Sequence, residues 1–394
     1  MTSRQPQLYS GLASASLVSF ELHQAIDAAL HATRVEGNTL EGLRLARRAM
    51  ALAKVEDSAG SIVEALNLLA ICQAANGAYI EAIAGSIDAF HAAKKLQDRL
   101  AMAHAMATLS GASSAILETP DVSLGMLDEC LKFALQLKNV SLQLRVRNLR
   151  GLVFDIMHRH KDSENEFIRA MQLVPFAGKN IPRAMVAANH AHVVINHACA
   201  ATIDRRRIQP HGTQEDAATN LTYANLLKYA RSLSDAALEM TRVDRNRMSE
   251  SIARFDRGKY FVVLGDIATA SDEFKRAMLF AEIAKQGARV AQIHVEMAKI
   301  CLLDSDPQGA LAEYESALVA ADSHRPLRLI SRIYHEESQV QRVLGNFKRA
   351  EILEDLAGKE AGIFLRESEQ TRRMLTEFWK QLPREIGVES SSAP

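Results

Sequence analysis

Small residues recur along this chain at a spacing that packed helix pairs explain. In the segment beginning near residue 63 they are Ala70, Ala82 and Ala89; near 144, Gly151, Ser163 and Ala170; near 251, Gly258, Ala270 and Ala277; near 291, Ala298, Ala310 and Ala317; near 331, Ser338, Ala350 and Ala357. All fifteen positions are Gly, Ala or Ser. Two antiparallel helices that cross closely need small side chains at the crossing points. Residues seven apart on one helix share a face two turns apart, so the last two of each trio meet the same neighbour. The turn chemistry agrees. Gly77-Ala78-Tyr79, Gly265-Asp266-Ile267 and Gly345-Asn346-Phe347 each fall between the two helices of a pair. Glycine suits the helix stop, and the bulky residue two places on packs back onto the pair.

The small-residue trio, the Gly-x-Tyr/Ile/Phe turn, and Phe167, Phe274 or Tyr314 four residues after the second small position resemble the tetratricopeptide repeat. That family has a period of about 34 residues. Here segments begin near 23, 63, 103, 144, 184, 251, 291 and 331, a period of about 40 over most of the chain. The longer period is similar to that of regulatory and sensory arrays in bacterial signalling proteins. The resemblance implies an all-α, right-handed solenoid of about eight helix pairs over residues 21–365.

Two repeats depart from the pattern. The third, about 103–137, has Gly111 in its first helix but reads as degenerate, with Leu127 where a small residue is expected. The fifth is split: Ala191 marks its first helix and Ala230 and Ala237 its second, with a polar insertion at about 201–220 that holds Pro210, Gly212 and the cluster Arg205-Arg206-Arg207. Residues 1–20 read as an N-terminal segment. Residues 366–382 read as an amphipathic helix with Met374, Leu375, Phe378, Trp379 and Leu382 on one side, suited to cap the array or to form a homodimer. Residues 383–394 read as a disordered tail.

Composition narrows the function. Lys plus Arg and Asp plus Glu number 47 each, a formal net charge of zero, without the basic excess of a general nucleic-acid binder. No apolar run approaches the roughly 20 residues that span a bilayer, and the N-terminus lacks the apolar core of a signal peptide, so a cytoplasmic location is expected. Cys72, Cys130, Cys199 and Cys301 are too scattered for a disulfide framework and read as reduced thiols. His190, His192, His197 and Cys199 lie in one helix without the i, i+4 spacing of helical zinc sites, and His158 and His160 fall in a turn as solvent-facing residues. No GxSxG, GxxxxGK[ST], GxGxxG or HExxH motif occurs, so neither an enzyme nor a cofactor is expected.

The resemblance implies that first helices line a concave groove through their positions 2, 5, 9 and 12. Asn67, Asn148 and Asn189 fall at or beside position 5 of three repeats. An Asn side chain both donates and accepts, so a row of them can pair with the backbone of an extended peptide whatever its sequence. His104, Arg145, His192 and Asn196 stand around them, with Glu64 and Asp155 nearby. Arg145 suits a carboxylate. Towards the C-terminus the equivalent positions give Phe255, Lys259, Gln292, Lys299, Arg332, His335, Gln339 and Arg342, a surface that reads as basic. The expected function is a scaffold binding a protein or extended peptide. The alternative is a regulatory module whose output, such as a cyclase, kinase or transcription factor, lies in another protein or beyond Pro394.

Overall fold

The computed structural model describes residues 7–117, 120–177, 183–208, 217–321 and 326–386. Sixteen α-helices fill those spans, and they pair in chain order: α1 (Gln7–His31) with α2 (Thr39–Glu56), α3 (Ala59–Ala75) with α4 (Tyr79–Lys95), α5 (Arg99–Ile116) with α6 (Asp121–Gln136), and α7 (Val140–Ile156) with α8 (His160–Leu173). Then come α9 (Arg183–Ile208) with α10 (Ala217–Asp244), α11 (Arg247–Leu264) with α12 (Ile267–Ile283), α13 (Gly287–Leu303) with α14 (Pro307–Ala321), and α15 (Leu327–Val343) with α16 (Phe347–Ile386). Successive first helices pack on one another, α3 on α5, α5 on α7, α7 on α9 and α9 on α11, and form the inner layer of an α-solenoid. None of the described helices is long and apolar enough to cross a membrane.

Every residue of the five trios is buried. Their spacing is enforced by aromatic rings. A Cβ added at Gly151 would sit 2.5 Å from the Phe167 ring, and one at Gly258 would sit 2.5 Å from the Phe274 ring. Seven residues after the first small position of each trio, the backbone turns left-handed, at Gly77, His158, Gly265, Ser305 and Gly345. Side-chain caps start many of the helices. Asn38, Ser58, Asp98, Asn139, Asn246 and Asp266 each accept a backbone N–H of the first turn.

The third repeat is not degenerate. Ser123 and Cys130, seven apart and both fully buried, take the small positions of α6, and Leu127 takes the bulky position held elsewhere by Phe167 and Phe274. In the first helix the matching residue is Ser110, also fully buried. One extra residue between Ser110 and Ser123 shifts the pattern, and a 2.7 Å hydrogen bond between Ser113 and Ser123 ties the shifted helices together. The split fifth repeat has Ala191, Ala230 and Ala237 each buried. Its insertion is largely helical, because α9 continues to Ile208 and α10 begins at Ala217; residues 209–216 lie outside the described residues.

Both ends differ from expectation. Helix α1 already begins at Gln7. The segment expected as a separate cap is the distal part of one 40-residue helix, α16, which runs unbroken from the last repeat. Residues 387–394, the greater part of the expected tail, lie outside the described residues. The apolar side of distal α16 covers not the last repeat but the second and third. Phe378 meets Phe90 edge-on at 5.1 Å, Leu375 is fully buried in the same cluster as Met126, and Trp379 lies over Gly125. Arg372 adds a 3.1 Å ion pair to Asp121. The coil therefore returns on itself. Asn246, at the start of α11, donates to the Arg34 carbonyl at 2.7 Å, so repeats one and six also meet. The apolar face expected to mediate a dimer is occupied within the chain.

Two stability predictions follow from these contacts. Gly258→Ala drives a methyl into a ring that cannot retreat and should lower unfolding stability by about 1–3 kcal/mol. Gly358→Ala, in the exposed middle of α16 with nothing within 4 Å, should raise it by up to about 1 kcal/mol. Urea titrations of the two variants check the pair. Trp379 is the only tryptophan, so its emission reports the docking of α16 alone. Phe378→Ala should weaken that dock by about 3 kcal/mol or more and shift the emission to the red below the main unfolding transition. Unchanged emission would contradict the packing described.

Candidate functional site

The inner layer brings most of the expected site residues into polar contacts between neighbouring first helices. Asn189 donates to Asn148 at 3.0 Å across α7 and α9, and Asn67 donates to the Ala101 carbonyl at 3.4 Å across α3 and α5. All three are buried, less than a tenth exposed. The Asn67 Oδ1 is buried without a hydrogen-bond partner among the described residues. An unpartnered amide oxygen in a buried place carries a desolvation cost that a hydrogen-bond donor would relieve.

Next along the coil, Asn196 donates to Asp155 at 3.1 Å and contacts His192 Nε2 at 2.9 Å. His192 Nδ1 meets Asp256 at 2.8 Å, and Lys259 donates to Asn196. Three first helices, α7, α9 and α11, are joined this way. Asp256 is fully buried, and burial alone would raise its pKa; the His192 charge and hydrogen bond, with Lys259 and Arg289, more than offset this and hold it below the usual range. His160 stacks on His197 at 4.7 Å and lies 3.6 Å from Asp155, so it is half-buried in this network rather than solvent-facing.

The C-terminal inner surface is not basic. Lys299 pairs with Glu296 at 2.9 Å and approaches Glu336 at 3.9 Å, while Arg332 pairs with Glu336 at 3.4 Å. Phe255 is buried under Arg289. Arg342 is exposed and pairs with Glu354 on α16, away from the row of the other candidates. The cause is local neutralisation: Lys299, Arg332 and Arg342 each have a carboxylate within one turn or on the facing helix.

His104 and Arg145 do meet. Arg145 donates to Thr108 at 2.7 Å and its other nitrogen lies 3.5 Å from His104 Nδ1. Burial, then the charges of Arg145 and Arg34, push His104 down to about 4. Arg34, Asp256 and Arg289 were not among the expected residues. Arg34 lies in a π-helical turn, Ala32–Glu36, between α1 and α2, outside the repeat positions. Arg289 lies in the first turn of α13, before the counted start of that repeat at 291. Asp256 follows Phe255 in the inner register, and only its pairing with His192 reveals it. Among the described residues, no group of three or more His, Cys, Asp or Glu side chains is placed to hold a metal ion.

These helix pairs, their buried trios and their inner polar face define a tetratricopeptide-type α-solenoid. No protein-family model matches the chain, and no match is found among curated proteins. Solved structures share the fold. A Rap protein complexed with competence and sporulation factor aligns at a TM-score of 0.53 and 11% identity, covering 93% of this chain and 99% of that one. The apo form of RapI aligns at 0.53 and 12%, covering 78% and 98%. A monomeric mutant of IFIT1 with m7Gppp-AAAA aligns at 0.51 and 14%, covering 81% and 69%.

Acid should weaken this interior. His104 and His190 are both lowered from 6.5 to about 4, chiefly by burial. Below 6.5 the unfolded chain binds protons at these rings and the folded chain does not. Stability is therefore full above pH 6.5 and falls as the pH drops towards 4. His190 is only 5% exposed and contributes on the order of 3 kcal/mol to that fall. Unfolding free energies between pH 7 and 4 should fall less steeply in His190→Gln than in the parent chain.

Proposed function

We propose that the chain is a non-catalytic scaffold whose inner face holds an extended peptide or protein segment by its backbone. The observation that carries this reading is the placement of Asn67, Asn148 and Asn189 on the inner layer, with donor or acceptor capacity left over after their contacts within the chain. Backbone pairing tolerates many sequences, and His192, Asn196 and Lys259 add polar groups on the next helices. The fold relation to the Rap protein complexed with competence and sporulation factor supports a binding role. The balanced net charge favours a protein over a nucleic acid as the occupant, although the IFIT1 relative is seen with m7Gppp-AAAA. In this reading Lys299 and Arg342 sit at the margin, each already paired to a carboxylate.

A regulatory role is the second reading, and the closure of the coil favours it. Distal α16 packs on the second and third repeats and Asn246 bonds to Arg34, so the coil closes on itself. In this reading a ligand on the inner face shifts that closure, and an output in another protein or beyond Pro394 senses the change. A cytoplasmic setting accords with both readings.

Affinity capture from a lysate with the intact chain tests the first reading. One captured protein or peptide should be recovered reproducibly and lost on Asn148→Ala, with a melting temperature within a few degrees of the parent. If Asn67→Ala, Asn148→Ala and Asn189→Ala together leave capture unchanged, the Asn row plays no part.

A further inference from the structure

Where the early repeats meet the late ones, a cavity of about 560 Å³ opens between them. One wall is the start of α4 and the end of α5. The other is the first turns of α13 and α15, and α16 contributes Phe364 and Glu367. The volume falls within the roughly 300–1,000 Å³ usual for small-molecule sites. The cavity stands apart from the Asn row, since none of Asn67, Asn148 and Asn189 lines it.

Two donors in its wall have no hydrogen-bond partner. Among the described residues Arg289 forms no ion pair and no side-chain hydrogen bond, and the Tyr79 hydroxyl forms no hydrogen bond. Both side chains are half-buried, and they act on each other's charge across the cavity wall. The Arg289 guanidinium lies 5.1 Å from the centre of the Phe255 ring, which holds it in place without neutralising it. Asp256, the carboxylate that acts on Arg289, makes no ion pair with it and is bonded to His192. Glu81 lies in the first turn of α4, where its charge answers the helix start, and neither it nor Glu367 pairs with Arg289.

Arginine keeps its proton at neutral pH, so a free guanidinium faces the cavity. Helices α4 and α13 both begin in the wall, and neither has a side-chain cap. Their first amides, at Tyr79 to Glu81 and at Gly287 and Ala288, supplement the guanidinium rather than replace it. A guanidinium fork matches two oxygens, and the Tyr79 O–H and the amides supply donors for a third. A phosphoryl group presents three such oxygens, and a planar carboxylate only two. Ile116, Pro326 and Leu327 line the cavity with apolar surface that suits an organic body.

We propose that this cavity binds a small organic phosphate, its phosphoryl group held by Arg289, Tyr79 and the first amides of α4 and α13, and its apolar body against Ile116 and Leu327. The site is separate from the inner face and stands or falls without the peptide reading. Its walls come from the second and third repeats and from the seventh and eighth, so a bound molecule bridges the two and stabilises the closed coil.

The test uses the full chain and three probes: phenyl phosphate, inorganic phosphate, and benzoate, which carries the same ring on a carboxylate. Titration calorimetry should show phenyl phosphate binding at one site per chain, roughly tenfold tighter than inorganic phosphate because its ring is buried. It should bind on the order of tenfold tighter than benzoate, which leaves donors unpaired. Arg289→Met should weaken binding about tenfold or more, and Tyr79→Phe about threefold, the latter without a change in the ligand-free melting temperature. Arg289→Lys keeps the charge without the fork and should recover part of the affinity, which separates binding from folding. Arg145→Met, on the inner face, should leave binding unchanged. Phenyl phosphate should raise the melting temperature of the parent chain and not that of Arg289→Met. Benzoate or inorganic phosphate binding as tightly as phenyl phosphate overturns the proposal, and so does binding that survives Arg289→Met. Loss of binding in Arg145→Met but not in Arg289→Met places the anion on the inner face and overturns it too. No measurable binding of phenyl phosphate by the parent chain does the same.

Discussion

The coil depends on the glycine, alanine and serine residues buried where its helices cross. A helix pair can cross at short range only where Cβ is absent or bare. The ring of Phe167 fills the space that Gly151 leaves, and Phe274 does the same at Gly258. Packed interiors tolerate neither gaps nor added atoms. Each repeat therefore sets the angle at which the next one joins, and the same angle repeated along the chain makes a coil rather than a globule. The left-handed turn seven residues after each first small position is part of the same device. It ends the inner helix at a constant height, whether Gly77, His158 or Ser305 occupies it.

Because the repeats rotate steadily, the chain comes back to itself, and the last helix finds the second and third repeats. The Phe378–Phe90 contact and the Arg372–Asp121 pair join residues far apart in sequence. An open solenoid leaves both ends exposed and needs caps. Here a helix grown from the last repeat supplies apolar surface to the second and third ones.

Periodic features were legible in the sequence, and features fixed by the return of the coil were not. Ala70, Ala82 and Ala89 announce a helix crossing because their spacing is dictated by the helix itself. Leu127 misled because one extra residue between Ser110 and Ser123 breaks the count, and only the buried Ser113–Ser123 contact restores it. Trp379 and Phe378 showed an apolar helix face, yet amphipathicity tells that a partner exists and not which one. Asn67, Asn148, Asn189, His192, Asn196 and Lys259 were legible as neighbours of one another because they sit in the inner register. Arg34 escaped because it stands in a π-helical turn, where no repeat position predicts the direction of a side chain. The carboxylates beside Lys299 and Arg342 were not legible, because a run of basic residues in one strip says nothing of Glu296, Glu336 and Glu354 around it.

The position of Arg34 marks where the first repeat meets the sixth. Its carbonyl takes the Asn246 side chain and so ties the first repeat to α11. The same Asn246 caps α11 by accepting the Ser249 amide, so the residue that starts the sixth repeat is also the one that joins it to the first. The seam and the helix start are therefore one contact, and a change that loosens the start of α11 also loosens the closure of the coil.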